Sequence, residues 1–348
     1  MLANRTCSSR PHKTASARAF AHQNSSRATP ASPILQVRKT LVACCVCILV
    51  FVGTLPRTVF ASGPSATLFD ISQVADGVFV HTGRHVGIAH GERGDSANAG
   101  FIVGTKCVAV VDSGGAIEVG KALHQAIKER SALPICYVIN THIHFDHVLG
   151  NAAFAGPTVE FVGHTELAEA LVNNREFFGE NFAKELGGSS PSEIVEPTLN
   201  VEDTLQLDIG DRLLTLQAVP LAHSHTDLTV FDEQTKTLFS GDLVFIDRLP
   251  IVDGSLRGWL AWITEARTRP IQRVVPGHGP SSAPWPHGVQ SLEAYLSVLL
   301  TDGRDAVRNG VTLEEAIATM SRSAARKWLV NDRHRRNVSK VYRELEWE

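Results

Sequence analysis

Four short segments gather the side chains that can do chemistry. The first, Thr141-His142-Ile143-His144-Phe145-Asp146-His147, puts three imidazoles and a carboxylate within six residues, directly after the apolar run 136–139. Polar groups packed behind a buried strand need partners, and a metal ion suits all four. The i, i+2 spacing lets His142 and His144 reach one ion, while Asp146 and His147 face a second. The second segment, Ala222-His223-Ser224-His225-Thr226-Asp227-Leu228, follows another apolar run and offers two histidines. His223 stands nearer the strand end and is favoured as the ligand. His225 is the alternative, and otherwise supports the ligands or faces substrate. The third, Phe239-Ser240-Gly241-Asp242, sets a carboxylate after a strand ending in Ser-Gly, where Asp242 could bridge two cations or be an ordinary turn residue. The fourth, Pro276-Gly277-His278-Gly279, aims one imidazole between glycines that let the backbone approach closely.

These segments need strands to position them. Short β-branched runs at 78–80, 100–103, 107–111 and 136–139 read as strands. Apolar residues at helical spacing from Ile117 to Arg130 separate the third from the fourth, which predicts parallel neighbours joined by a right-handed crossover. A second helix is expected over 166–172, capped by Thr165. Further strands are expected at 205–207, 213–219, 228–231, 236–239 and 273–275, with a sharp loop at 276–280 and a helix over 258–267. From Ser291 the pattern is wholly helical, with stripes at Leu292, Tyr295, Leu296, Leu299, Leu300 and at Leu313, Ala316, Ile317, Met320. Two β-rich halves suggest an α/β fold of two sheets packed face to face, helices outside, and a helical C-terminal extension.

Charge divides the chain differently. The formal charge is −3, but eight of the 33 basic residues precede Asp70, the first acidic one. The remaining 25 face 36 acidic residues, so the chain from Asp70 onward carries −11. This balance excludes a nucleic-acid binder, and 43% apolar content excludes a disordered chain. The twelve-residue apolar run 41–52, entered through Arg38-Lys39, is too short to span a bilayer but fits a signal peptide, with cleavage after Ala61. The expected organisation is a leader at 1–61, a catalytic domain at 62–287 and a helical extension at 288–348. Export to the periplasm without a lasting membrane span is the reading; an organellar transit peptide is the alternative, and Val37 is a candidate start. The Leu41-Val42-Ala43-Cys44 lipoprotein-like box opens the apolar run instead of ending it, so it reads as chance. Beyond the leader only Cys107 and Cys136 remain, level on neighbouring strands. They are either a disulfide or two buried thiols.

The order HxHxDH, His, Asp, PGHG across 142–278 resembles the metallo-β-lactamase superfamily. Asp112 in Val110-Val111-Asp112-Ser113-Gly114 matches that superfamily's strand-end Asp, which supports the ligands. The stretches HTGRH, INTHIHFDHVLGNAAF, AHSHTDLTVFD, SGDLVFIDRLPIVDGSLRGWL and the terminal ELEWE are similar to quinoprotein relay system zinc metallohydrolases of the second, SoxH-like type. Ser224 stands where that subgroup has Thr. The resemblance implies a four-layer αβ/βα sandwich. It implies that His142, His144 and His223 hold one zinc, that Asp146, His147 and His278 hold the other, and that Asp242 bridges them. Iron or manganese would also suit five His and two Asp. A water shared by two such ions would become a hydroxide nucleophile toward an ester, thioester, lactone or amide, with Asp146 orienting it and passing a proton. The subgroup implies an accessory role beside a periplasmic quinoprotein dehydrogenase or cytochrome c system. A β-lactamase-like hydrolase and an iron-dependent sulfur or redox enzyme are the alternatives.

Other residues invite simpler readings. His81, His85 and His90 flank a Gly-rich stretch, a flap or a surface loop. The run 253–257 lines a pocket or enters a helix with Ser255 as cap. Trp259 and Trp262 read as packing, and the basic run 333–336 reads as a solvated helix face.

Overall fold

The computed structural model describes residues 69–87, 93–188 and 194–348. The expected leader, its cleavage point and His90 lie outside the described residues. The first half runs β1 (Ile71–Ala75), β2 (Val78–His81), β3 (Ala99–Val103), β4 (Val108–Val111), α1 (Ile117–Arg130), β5 (Ile135–Ile139), α2 (Phe145–Val148), β6 (Glu160–His164), α3 (Leu167–Asn173), α4 (Arg175–Asn181) and β7 (Leu199–Val201). Its seven strands form one sheet in sequence order, antiparallel from β1 to β4 and parallel from β4 to β7. The second half holds β8 (Thr204–Asp208), β9 (Leu213–Ala218), β10 (Leu228–Asp232), β11 (Thr237–Phe245), α5 (Leu256–Ala266), β12 (Arg273–His278) and β13 (Ala283–Pro284). These make a six-stranded sheet in the order β13-β12-β11-β10-β9-β8. Helices α6 (Gln290–Arg308), α7 (Leu313–Thr319), α8 (Arg322–Ala325) and α9 (His334–Leu345) follow.

The layers follow from alternation along buried strands. In β4 every residue is buried, but on two faces. Val108 and Val110 pack with Leu123 and Ile127 of α1, while Ala109 and Val111 join Leu216, Val230 and Phe239 of the second sheet. The other face of the second sheet packs Phe231 and Leu238 against α5, α6 and α9 through Trp259, Leu296 and Val341. The order is therefore helix, sheet, sheet, helix, as expected. The Leu292, Tyr295, Leu296, Leu299 stripe is buried in that last layer. Among the described residues no helix is long and apolar enough to cross a membrane.

Several local expectations need correction. Strand β11 does not end at Ser-Gly but continues through Asp242 to Phe245, because its partner β12 also runs on to His278. The register shifts at Gly241, whose φ of 51° turns the chain within the strand. Thr165 does not cap α3: its N–H donates to Val201 O and so belongs to the sheet. Strands β1, β6 and β7 were not foreseen. β6 contains Gly163 and His164, and β7 spans three residues, too few for a pattern. Ser255 does cap α5, its Oγ accepting from Gly258 N–H.

Cys107 and Cys136 are joined in a disulfide, with Cα atoms 5.8 Å apart. The bond ties the entry of β4 to β5 and closes a loop of 29-residue separation. Chain-entropy reasoning puts its contribution at about 3–4 kcal/mol. Denaturant unfolding of a Cys107→Ala/Cys136→Ala variant should show a loss of that order; an unchanged midpoint would count against it.

Candidate metal centre

The site lies where strands of both sheets end. The 142–147 segment follows β5 and starts α2, His223 follows β9, Asp242 sits inside β11, and His278 closes β12. The structure brings the first six predicted donors and His278 into two adjoining clusters: His142, His144, His223 and Asp242, and Asp146, His147 and His278. His225 is not among them; it is exposed and lines the adjacent cavity.

Hydrogen bonds on the far side of each ring fix its orientation. His223 Nδ1 donates to Ile251 O at 2.8 Å, and His278 Nδ1 donates to Ser96 O at 2.7 Å. Carbonyl oxygens only accept, so these nitrogens carry the protons. His147 Nδ1 donates to Asp112 Oδ2 at 2.8 Å, and His144 Nε2 donates to Asp253 Oδ2 at 2.9 Å. Thr141 Oγ1 donates to the same Asp112 oxygen, so it accepts from His142 Nδ1 at 3.1 Å. Each neutral imidazole therefore turns a bare lone pair inward. His144 Nδ1 lies 3.0 Å from His142 Nε2 and 3.1 Å from His223 Nε2. Asp242 divides its oxygens. Oδ2 stands 3.6 and 3.5 Å from His142 and His223 Nε2, while Oδ1 stands 3.2 and 3.3 Å from His147 and His278 Nε2.

This arrangement fits divalent cations. Lone pairs this close repel unless a cation lies between them. Tetrahedral zinc ligands at about 2.0–2.1 Å stand roughly 3.3 Å apart, close to the observed spacings. His147 Nε2 and Asp242 Oδ1 are buried with no hydrogen-bond partner, which is a cost that a metal would remove.

Without a cation, protons compensate. Burial opposes a charge on His144, but its bonds to Asp242 and Asp253 outweigh it and push the pKa up to about 10. His147 is likewise raised despite burial, by Asp242 and Asp112. Burial and the neighbouring His147 push His142 down to about 4, and burial also holds His223 well below the usual histidine range. Burial works against Asp146, yet the neighbouring imidazoles, His147 first, bring it down to about 2.

Several site residues were missed or misread from sequence. Ser96 Oγ donates to Asp146 Oδ2 at 2.7 Å, and Asn98 binds Pro276 O, so the described part of the Gly-rich stretch is built into the site. His81 is buried and pairs with Asp95 at 2.6 Å, so it is not a surface histidine. His85 is exposed, near enough to His278 and Arg248 to feel both. Arg248 is buried beside His278; it falls in the stretch 240–260 but in none of the four donor segments. The basic C-terminal run is not merely a solvated face: Arg336 pairs with Asp253 and lines a cavity of about 700 Å³ that opens on His144, Asp242 and His278. Trp259 packs its ring 5.2 Å from that of His223, as packing was expected to.

The metallo-β-lactamase superfamily model matches residues 93–278, and the chain belongs to that superfamily. It is a metal-dependent hydrolase. The chain is 30% identical over 225 residues to the Homo sapiens acyl-coenzyme A thioesterase MBLAC2, covering 54% of this chain and 74% of that protein. The Bos taurus counterpart is 29% identical over 224 residues, with the same coverage. The fold is similar to that of a metallo-β-lactamase from Pontibacter korlensis (TM-score 0.54, 20% identity, 66% of this chain and 98% of that one). It is also similar to the sec-alkylsulfatase Pisa1 from Pseudomonas sp. (TM-score 0.57, 16% identity, 79% of this chain and half of that one).

Two outcomes follow from the geometry. Zinc uptake by metal-free protein at pH 7 should release about two protons, one each from His144 and His147, since ligating imidazoles must be neutral. Calorimetry in buffers of different ionisation enthalpy measures this, and zero release would contradict it. A Cβ at Gly277 would sit 2.1 Å from Asp242 Oδ1, so Gly277→Ala should lose bound metal while circular dichroism keeps the fold.

Proposed function

We propose that this hydrolase cleaves an acyl thioester. In this reading His142, His144 and His223 would hold one zinc ion and Asp146, His147 and His278 a second, with Asp242 shared between the two sets. The observation that carries it is the division of Asp242 between two donor clusters at the edge of a large cavity. The names of the thioesterase relatives direct the choice of carbonyl.

Bound there, the cations supply Lewis acidity, which acidifies water and polarises a carbonyl. The chain's own residues do the rest. Asp146, held at Oδ2 by Ser96, stays ionised and orients the attacking water. Asp112 holds His147 and the Thr141 backbone together, so the segment after β5 keeps one geometry. Asp227, pushed up to about 7 by burial, accepts from Ser224 N and Oγ and shapes the turn that presents His223. His225, at the cavity edge, faces the substrate.

Export through the leader belongs to the same proposal. It is supported by the Cys107–Cys136 disulfide, since such bonds persist in oxidising compartments. The accessory role beside a quinoprotein dehydrogenase draws no support from the relatives.

The test is protein stripped of metal and reloaded with zinc, iron or manganese, assayed by thiol release from acyl-coenzyme A esters, with nitrocefin as the β-lactam control. Zinc should restore thioesterase activity, and nitrocefin turnover should be far slower. His147→Ala should lose metal and at least about a hundredfold in kcat. His223→Ala should lose metal where His225→Ala keeps it; the reverse would exchange their roles.

A further inference from the structure

We propose that α9 selects the substrate by binding a phosphate-bearing thiol handle, while a cluster of phenylalanines takes the acyl arm. The inference rests on the thioester reading above. Arg336, Lys340 and Arg343 lie at i, i+4 and i+7, so one face of α9 is cationic. The other face, with Val338, Val341 and Leu345, is buried in the core. All three cations line the cavity that holds His144, Asp242 and His278. Arg336 is neutralised by Asp253. Lys340 and Arg343 are exposed and, among the described residues, have no carboxylate partner.

These two charges run against the rest of the molecule. A chain that carries −11 from Asp70 onward repels a polyanion in general. Two unpaired cations one turn apart at the cavity reverse that locally, and the planar fork of Arg343 suits a phosphate. Another part of the lining is aromatic: Phe145, Phe177, Phe178 and Phe182. Phe145 and Phe182 stack at 4.3 Å, while Phe177 leaves 53% of its surface exposed. An exposed aromatic in a cavity marks an apolar contact surface. Cations, rings and metal donors on one cavity match an amphiphile whose scissile carbonyl joins a charged part to an apolar one.

The experiment compares zinc-loaded wild type with Lys340→Ala/Arg343→Ala on dodecanoyl-coenzyme A and on dodecanoyl-N-acetylcysteamine, whose handle is uncharged. Wild type should prefer the charged ester, with a preference that falls as salt rises. The double variant should raise KM for the charged ester about tenfold more than for the uncharged one, and Lys340→Arg should restore most of the difference. Phe177→Ala should narrow the preference for dodecanoyl over acetyl-coenzyme A. Equal KM changes for both handles would overturn the inference and leave the thioesterase reading intact. If wild type cleaves no thioester, that reading falls. Titration with the uncleavable dodecyl-coenzyme A thioether then decides the handle site: weaker binding by the double variant supports it, and equal binding overturns it.

Discussion

Seven donor groups that repel one another are forced into one buried place, and much of the surrounding structure holds them there. Five imidazole lone pairs and two carboxylates point inward at 3.0–3.6 Å contacts. Removed from water and uncompensated, such an assembly costs free energy instead of supplying it. It persists because each ring is gripped from outside by Thr141, Asp253, Asp112, Ile251 O or Ser96 O. Those outer bonds leave a cation as the natural neutraliser.

The two-sheet architecture makes that grip rigid. Donors leave the ends of β5, β9 and β12; Val138 and Ile139 of β5, and Val274 and Val275 of β12, lie in separate apolar clusters on opposite faces, while β9 sets Leu214 and Leu216 in the core between the sheets. Asp242 is carried inside β11, and Gly277 lets the neighbouring strand come close enough to enclose it. Behind the site the disulfide joins the entry of β4, which leads to Asp112, to β5, which leads into the first donor segment.

The C-terminal helices belong to this frame. Glu344 of α9 accepts from Ser255 Oγ and Leu256 N–H at the start of α5, and Arg336 grips Asp253, which grips His144. A metal donor is thus linked to the last helix through two ionic contacts. The helix supplies both support and a cationic wall, which places the acidic chain's exceptional charges where a substrate would pass.

Local chemistry made the inner donors legible from sequence. His142, His144, Asp146 and His147 lie within six residues after an apolar run, and no packing role accounts for all four. The apolar run of β4 and the spacing of α1 likewise revealed the layers, since a strand buried on both faces is apolar throughout and a helix buried on one face repeats at 3.6. What surrounds the donors was legible only in part. Asp112 reads as a support and Asp253 as a pocket candidate, but Ser96, Arg248 and Arg336 are ordinary polar residues in sequence; only the fold brings Ser96 to Asp146, across 50 positions, and Arg336 to Asp253, across 83. The same holds for β11, whose continuation past Gly241 depends on pairing with β12, and for α9, whose basic face looked solvated until the cavity lay beside it. Composition and spacing determined which atoms can bind a cation. Only tertiary structure decided which far-off hydrogen bonds aim them, because those partners are neighbours in space alone.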